Sequence, residues 1–259
     1  MTALLEIDGI EKSFGGLQAL AGATFTVEEG SIAGLIGPNG SGKTTMFNVV
    51  TGYERADAGD IRFRGDSISG ERPDRIFALG IGRTFQLTRI FARLTVLENM
   101  LVATQRHENW WRSVFRAAGS ANERERAFEL LDFVGIAGLA DLPAGNLSYG
   151  QRKLLELAYV LVADPDVILL DEPAGGVNPS LINLIADRLR DVNEAGKTLI
   201  IVEHDMQFVM NLCGTVTVLD HGCVLTTGSP DEVRSNPAVL DAYLGADDDD
   251  ELDADVVIS

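Results

Sequence analysis

The nine residues Gly37-Pro38-Asn39-Gly40-Ser41-Gly42-Lys43-Thr44-Thr45 constrain this chain more than any other stretch. They join an apolar run, Ile32-Ala33-Gly34-Leu35-Ile36, to a helix-like stretch, Met46-Phe47-Asn48-Val49-Val50. A strand, a glycine loop and a helix in that order form a phosphate cradle, or P-loop. Glycines let the backbone bend so that successive N–H groups point inward, and the following helix adds its positive N-terminal end. Lys43 then reaches the terminal phosphates, and the Thr44 hydroxyl can take a Mg²⁺ position.

The elements around this loop alternate. Residues 3–7 and 23–28 read as strands with a turn at Phe14-Gly15-Gly16, and Asp60 to Phe63 as another short strand. Ile81 to Gln86 reads as a strand entering a polar loop. Helical periods dominate from Thr95 to Ala163. Leu97, Met100 and Leu101 share one face, and Phe128, Leu130, Leu131 and Val134 share another, with Gly135 and Gly138 closing the second helix. Ser148 opens a helix through Leu161 that Asp164-Pro165 closes. Val167 to Leu170 and Leu199 to Val202 are continuous apolar runs, as expected of strands buried on both faces. Pro179 to Ala195 is a helix with Pro in its first turn and Gly196 past its end. Thr215–Leu219 and Cys223–Thr227 form a hairpin around Asp220-His221-Gly222, and two short helices follow Pro230 and Pro237. The expected class is α/β: a parallel-sheet core interrupted by a helical insertion at about 90–163.

Composition excludes several classes. The chain of 259 residues carries a net charge of −18, a surface that repels nucleic-acid phosphates and argues against a DNA or RNA partner. Seven of those charges fall in the run from Asp247 to Asp255, so residues 246–259 are expected to be an unfolded acidic tail; −11 remains elsewhere. Such acidity fits a high-salt cytoplasm, where screening shortens to ~3 Å at 1 M; a chain equally folded and active at low and at molar salt would remove that reading. No stretch of about 18 apolar residues could span a membrane, and the start, with Glu6 and Asp8, reads as a first strand rather than a secretory signal. Two cysteines, Cys213 and Cys223, suit neither a zinc site nor a disulfide framework.

Three further features carry chemistry. Asp171 closes the buried run 167–170, where ligands of open α/β sheets bind, and can hold Mg²⁺ through water. Glu172 follows and can polarise an attacking water, which with charge neutralisation is nearly all that hydrolysis of a phosphoanhydride needs. In Leu147-Ser148-Tyr149-Gly150-Gln151, Ser148 suits an N-cap and Gly150 permits close backbone approach, so this helix start is a second anion site. Two such sites far apart in the chain suggest one ATP pinched between two subunits.

Together these residues resemble the nucleotide-binding subunits of ABC transporters. Leu147–Gln151 is similar to the family signature, with Tyr149 where a Gly is usual. Gln86, in Arg83-Thr84-Phe85-Gln86, matches the Q-loop; His204, in Val202-Glu203-His204-Asp205, matches the switch histidine; Asn178 sits where the D-loop commonly has Asp; and Phe14 matches the aromatic that stacks on adenine. The resemblance covers residues 4 to about 245. It implies a P-loop NTPase fold with a RecA-like parallel-sheet core, a small antiparallel β-subdomain and a helical subdomain at about 90–163, all within 1–245. It also implies ATP and Mg²⁺, with Lys43 and the loop amides on the β- and γ-phosphates and Thr44, Asp171 and Gln86 serving the metal. Glu172 would be the general base and His204 the residue that contacts the γ-phosphate. Ser148 and Gly150 would complete the opposite subunit's site.

Phe14-Gly15-Gly16-Leu17, Phe47-Asn48, Thr51-Gly52, Arg83–Gln86, Glu203-His204-Asp205-Met206, Asn236-Pro237 and Ala242-Tyr243-Leu244-Gly245 narrow the resemblance to ATPases of branched-chain amino-acid importers. That family implies membrane permease subunits, a second ATPase that is a different chain or a second copy, an external solute-binding protein, and peripheral attachment to the cytoplasmic face of the membrane. Urea or amide importers and lipopolysaccharide-export ATPases look similar. Soluble ABC ATPases of repair carry a coiled-coil or zinc insertion, and those of translation carry two ATPase domains and a basic linker, unlike this acidic chain. Leu87–Phe91 is a candidate groove for the membrane subunits, and Trp110-Trp111 is either a contact near headgroups or a membrane partner or a buried aromatic pair of the helical subdomain.

Overall fold

The computed structural model of the chain describes residues 3–84, 90–104 and 121–243. Two long strands, β1 (Ala3–Phe14) and β2 (Leu17–Glu28), form an antiparallel hairpin about the Gly15-Gly16 turn. They extend well beyond the segments 3–7 and 23–28 that alternation marks. β1 also pairs along its other edge with β4 (Ala58–Phe63), so its backbone is satisfied on both sides even where the side-chain pattern lapses. The two-residue β5 (Asp66–Ser67) completes a small sheet in the order β2-β1-β4-β5.

The second sheet contains β3 (Ile32–Ile36), β6 (Ile81–Arg83), β7 (Val167–Asp171), β8 (Thr198–Val202), β9 (Thr215–Asp220) and β10 (Cys223–Gly228), in the order β10-β9-β3-β8-β7-β6. All its pairings are parallel except that of β10 on β9. Every residue of β3, β7 and β8 is buried, because both sheet faces are covered. Their side chains alternate between two cores. Ala33, Leu35, Val167, Leu169, Ile200 and Val202 meet the small sheet together with helices α1 (Lys43–Val50) and α2 (Pro73–Ala78). Ile32, Ile36, Ile168, Leu170, Leu199 and Ile201 face the other helices: α3 (Val96–Thr104), α4 (Ala121–Phe133), α5 (Tyr149–Leu161), α6 (Pro179–Glu194), α7 (Met206–Leu212) and α8 (Pro230–Arg234). Burying one such aliphatic side chain contributes about 1.5–3 kcal/mol.

The helix limits follow their capping residues. Ser148 Oγ accepts from the Gln151 N–H at 3.3 Å while the Gln151 side-chain Oε1 accepts from the Ser148 N–H at 2.9 Å, a reciprocal capping box. Asn178 caps α6 through the Leu181 N–H at 3.0 Å, with Pro179 in the first turn. On α4 the buried face is Ala127, Leu130, Leu131 and Val134; Phe128 is 45% exposed. The expectation that Phe128 shares that face is therefore wrong. Ala127, a residue a hydrophobicity count undervalues, occupies the stripe instead.

Gln86, the segment 87–89, the Trp110-Trp111 pair, His107, Leu244, Gly245 and the acidic run 246–259 lie outside the described residues. Among the described residues no helix is long and apolar enough to cross a membrane. Both cysteines are free. Burial pushes the Cys213 thiol up to about 12, whereas Cys223 is exposed. A thiol-alkylating reagent at pH 8 is therefore expected to modify Cys223 and spare Cys213 in the native chain, read by peptide mass mapping. Labelling of both at equal rates would contradict the packing of α7 against the sheet.

Candidate functional site

The carboxyl ends of β3, β8 and β7 lie side by side, with Leu35 opposite Val202 and Asp171 opposite Val202 in the ladder. The chain leaves this edge three times: into Gly37, into Glu172 and into Glu203. The three segments therefore converge at the crevice where open α/β sheets bind ligands.

After β3 the chain makes the glycine loop and enters α1. Gly42, the residue before the helix, has φ 103°, and a Cβ there would lie 2.5 Å from the Ala19 carbonyl oxygen. Only glycine fits both the angle and the approach. Gly37, Pro38, Ser41 and Lys43 are buried, while Asn39, Gly40 and Thr44 face solvent and Gly42 and Thr45 are half-buried. Lys43 folds back over the loop. Its Nζ donates to the carbonyls of Gly37 at 2.8 Å and Pro38 at 2.7 Å and to Ser41 Oγ at 3.3 Å. Burial lowers its pKa, against the opposing charges of Glu172 and Asp171. The phenol of Tyr243 reaches the backbone N–H of Gly37; burial first, opposed by that N–H, moves it to about 12.

Asp171 ends β7 almost fully buried. Its Oδ2 meets Arg83 Nη2 at 3.1 Å, and its N–H donates to Thr84 Oγ1 at 3.1 Å. Arg83 also donates through Nη1 to Asn48 Oδ1 at 2.7 Å and Thr51 Oγ1 at 3.2 Å, tying the strand end to α1. Glu172 follows in the left-handed region at φ 49°, a conformation worth about 1–2 kcal/mol of strain for a residue with a side chain. Its Oε1 is 2.7 Å from His204 Nε2, which donates in the tautomer that carries the proton there. His204 is half-exposed, not the satisfied core imidazole that a histidine after a buried strand also permits.

The structure thus brings together Lys43, Asp171, Glu172 and His204. Ser148 and Gly150 sit at the start of α5, where a Cβ on Gly150 would overlap the Leu181 side chain, so that glycine also permits α5 to pack on α6. Tyr149 lies across Gly176 and under Lys153 Nζ at 5.7 Å. Asn178 is exposed and serves as the α6 cap. Phe14 is 44% exposed at the end of β1, with Lys12 Nζ 5.1 Å from its ring centroid, so an aromatic face is available for stacking. His221 is an exposed turn residue paired with Asp220. Two residues that sequence reasoning passed over bear on the site: Arg83, visible as a cation three residues before Gln86, and Glu203, visible as a carboxylate continuing a buried strand.

Among the described residues no group of three or more His, Cys, Asp or Glu side chains could hold a metal. A resident all-protein metal cage is not the chemistry of this donor set. A strand-end carboxylate, Asp171, and an exposed hydroxyl, Thr44, are the kind of sparse protein ligands that suit Mg²⁺, which keeps most of its water and takes its remaining ligands from substrate phosphates.

A glycine-loop strand and helix, a strand-end acid pair and a facing histidine define a P-loop nucleotide-binding protein. The ABC transporter family model matches residues 20–175, and a model described as branched-chain amino acid ATP-binding cassette transporter matches 223–249. The high-affinity branched-chain amino acid transport ATP-binding protein of Pseudomonas aeruginosa is 39% identical over 93% of this chain and 98% of its own length. A probable branched-chain amino acid transport ATP-binding protein of Archaeoglobus fulgidus is 40% identical over 95% and 96%. Among solved structures, an ABC-transporter ATP-binding cassette in its ADP conformation superposes with a TM-score of 0.85 at 34% identity, covering 95% of this chain and 100% of that one. A dimeric cassette bound to ADP and phosphate superposes at 0.75 with 25% identity, over 87% and 98%. This chain belongs to the ABC transporter ATP-binding family, the nucleotide-binding and ATP-hydrolysing subunits of membrane transporters.

Proposed function

We propose that this chain powers import of branched-chain amino acids or related small polar solutes, as one of two ATPase subunits that close on ATP beneath a pair of membrane permease subunits. The observation that carries the hydrolytic part is the 2.7 Å contact of Glu172 with His204 beside the Lys43-held loop. Similarity along the chain's length to relatives named for branched-chain amino acid transport supports the cargo.

In this reading Gly37 and Pro38 shape the cradle, and the N–H groups of Asn39, Gly40, Ser41, Gly42, Thr44 and Thr45 receive the β- and γ-phosphates as Lys43 exchanges the Gly37 and Pro38 carbonyls for phosphate oxygens. Phe14 stacks on the adenine. Thr44 and Asp171 would hold Mg²⁺, with Gln86 reaching metal or water. Its charge would neutralise that of the phosphates. Glu172 takes the proton of the attacking water and His204 orients that water at the γ-phosphate, geometry that in-line transfer requires. Ser148, Gly150 and Asn178 complete the site of the second ATPase, a different chain or a second copy. Hydrolysis then releases the closed pair, which is how nucleotide affinity becomes rigid-body motion. Residues 1–245 act as one ATPase domain, with the helical subdomain at about 90–163 engaging the permeases at the cytoplasmic face and the acidic 246–259 outside it. An external solute-binding protein supplies cargo.

The test is co-purification with the permease subunits, followed by ATPase measurement in liposomes. Stimulation by leucine, isoleucine or valine with the binding protein present is the expected result. ATPase activity that responds to none of them, but to an amide or to a lipid, would replace the cargo assignment.

A further inference from the structure

We propose that Glu203 is a positioning residue for hydrolysis: its carboxylate bridges the loop that carries Glu172 to the loop that carries His204. This rests on the reading of Glu172 as the base. Glu203 is 2% exposed, yet it faces no cation within salt-bridge distance among the described residues. Three backbone N–H groups satisfy it instead. Oε1 accepts from Ala174 at 2.5 Å and Oε2 from His204 at 3.1 Å, with the Asp205 N–H adding to them. Burial nonetheless raises its pKa, and the nearby Glu172 charge adds to that. A buried carboxylate beside another carboxylate is costly, and backbone N–H donors are what offset it. A cost of that kind calls for a role.

The role follows from where the donors lie. Ala174 is two residues after Glu172 and twenty-nine before Glu203. The Glu172 N–H continues the strand ladder to the Val202 carbonyl at 2.9 Å. Glu172 is therefore held from both sides, by Val202 through its own N–H and by Glu203 through Ala174. That double tether keeps a non-glycine residue in the left-handed region. The same carboxylate holds the His204 and Asp205 amides, and Asp205 caps α7 through the N–H groups of Gln207 at 2.9 Å and Phe208 at 3.1 Å. One side chain thus fixes base and histidine relative to each other, while the phosphate loop hangs from a different strand.

The experiment compares Glu203→Gln and Glu203→Asp with wild type in steady-state Mg-ATP hydrolysis by the full chain. Gln is isosteric but turns an amide N–H toward backbone N–H donors; Asp keeps the charge but is one methylene too short to reach both loops. Both variants should lose about tenfold to a hundredfold in kcat, the range expected for a base misplaced by roughly an ångström. KM for Mg-ATP should stay within about twofold, and Glu203→Gln should add no further loss when placed on Glu172→Gln. Wild-type kcat in either variant, equal losses in kcat and KM, or failure of both variants to fold would overturn the bridge, the last by making Glu203 a stability residue. The Glu172→Gln control separates the two readings. Normal turnover by Glu172→Gln overturns the base assignment, whereas slow turnover by it alongside normal turnover by Glu203→Gln overturns the bridge alone.

Discussion

Glu172→Gln is expected to bind ATP as the wild type does while turning over at least about a hundredfold more slowly, a barrier increase of about 2.7 kcal/mol or more. Gln fills the same volume and still offers an oxygen to His204 Nε2, now 2.7 Å from Oε1, so the loop geometry should survive. What it removes is the capacity to accept a proton from water. The phosphate loop is anchored separately, through Lys43 and the carbonyls of Gly37 and Pro38, so equilibrium affinity for Mg-ATP should change little. In the proposed cycle hydrolysis opens the closed pair, so on that reading the variant should accumulate as an ATP-bound dimer. Nucleotide-binding calorimetry, single-turnover kinetics and size exclusion with ATP measure the three consequences. Hydrolysis close to the wild-type rate would remove Glu172 from the role of base and leave His204 and bulk water to account for the chemistry.

Much of this site is legible in the sequence because its parts are local. The glycine loop announces itself between an apolar run and a helix, and Asp171-Glu172 follows directly on four buried aliphatic residues. Ser148 with Gln151 three residues on is a capping pattern that needs no partner from elsewhere. The parts that escaped are those set by strand register. Arg83 and Asp171 are 88 residues apart and meet only because β6 and β7 are parallel neighbours. Ala174 and Glu203 meet only because β7 and β8 end level. Nothing in either residue's own neighbourhood signals the pairing. The α4 face failed for a different reason. Phe128 looks more hydrophobic than Ala127, but close packing of α4 against α3 and α5 favours the small residue, and the large one is left outside. Strand lengths in the first hairpin were underestimated because edge pairing, not side-chain alternation, sets where β1 and β2 stop.

The Arg83–Asp171 pair gives the largest expected stability effect. Both side chains are under 10% exposed and their charged atoms are 3.1 Å apart. Asp171→Ala leaves a guanidinium buried without its counter-charge, a loss that usually costs about 3–5 kcal/mol. For a chain of this size that corresponds to a fall of about 6–20 °C in Tm, at ~2–4 °C per kcal/mol. Removing one partner measures an orphaned charge, however, and not the worth of the pair. The discriminating variant is therefore the double replacement Arg83→Met with Asp171→Leu, which fills the same space without charge and is expected to recover most of the lost Tm. It should hydrolyse no ATP, since the strand-end carboxylate is gone. That combination, stable but inactive, would mean that the pair is retained for placing Asp171 at the nucleotide and not for holding the fold. If the double variant melts as low as Asp171→Ala, the bonds from Arg83 to Asn48 and Thr51 carry the stability, and Arg83 is first of all the tie between the sheet edge and α1.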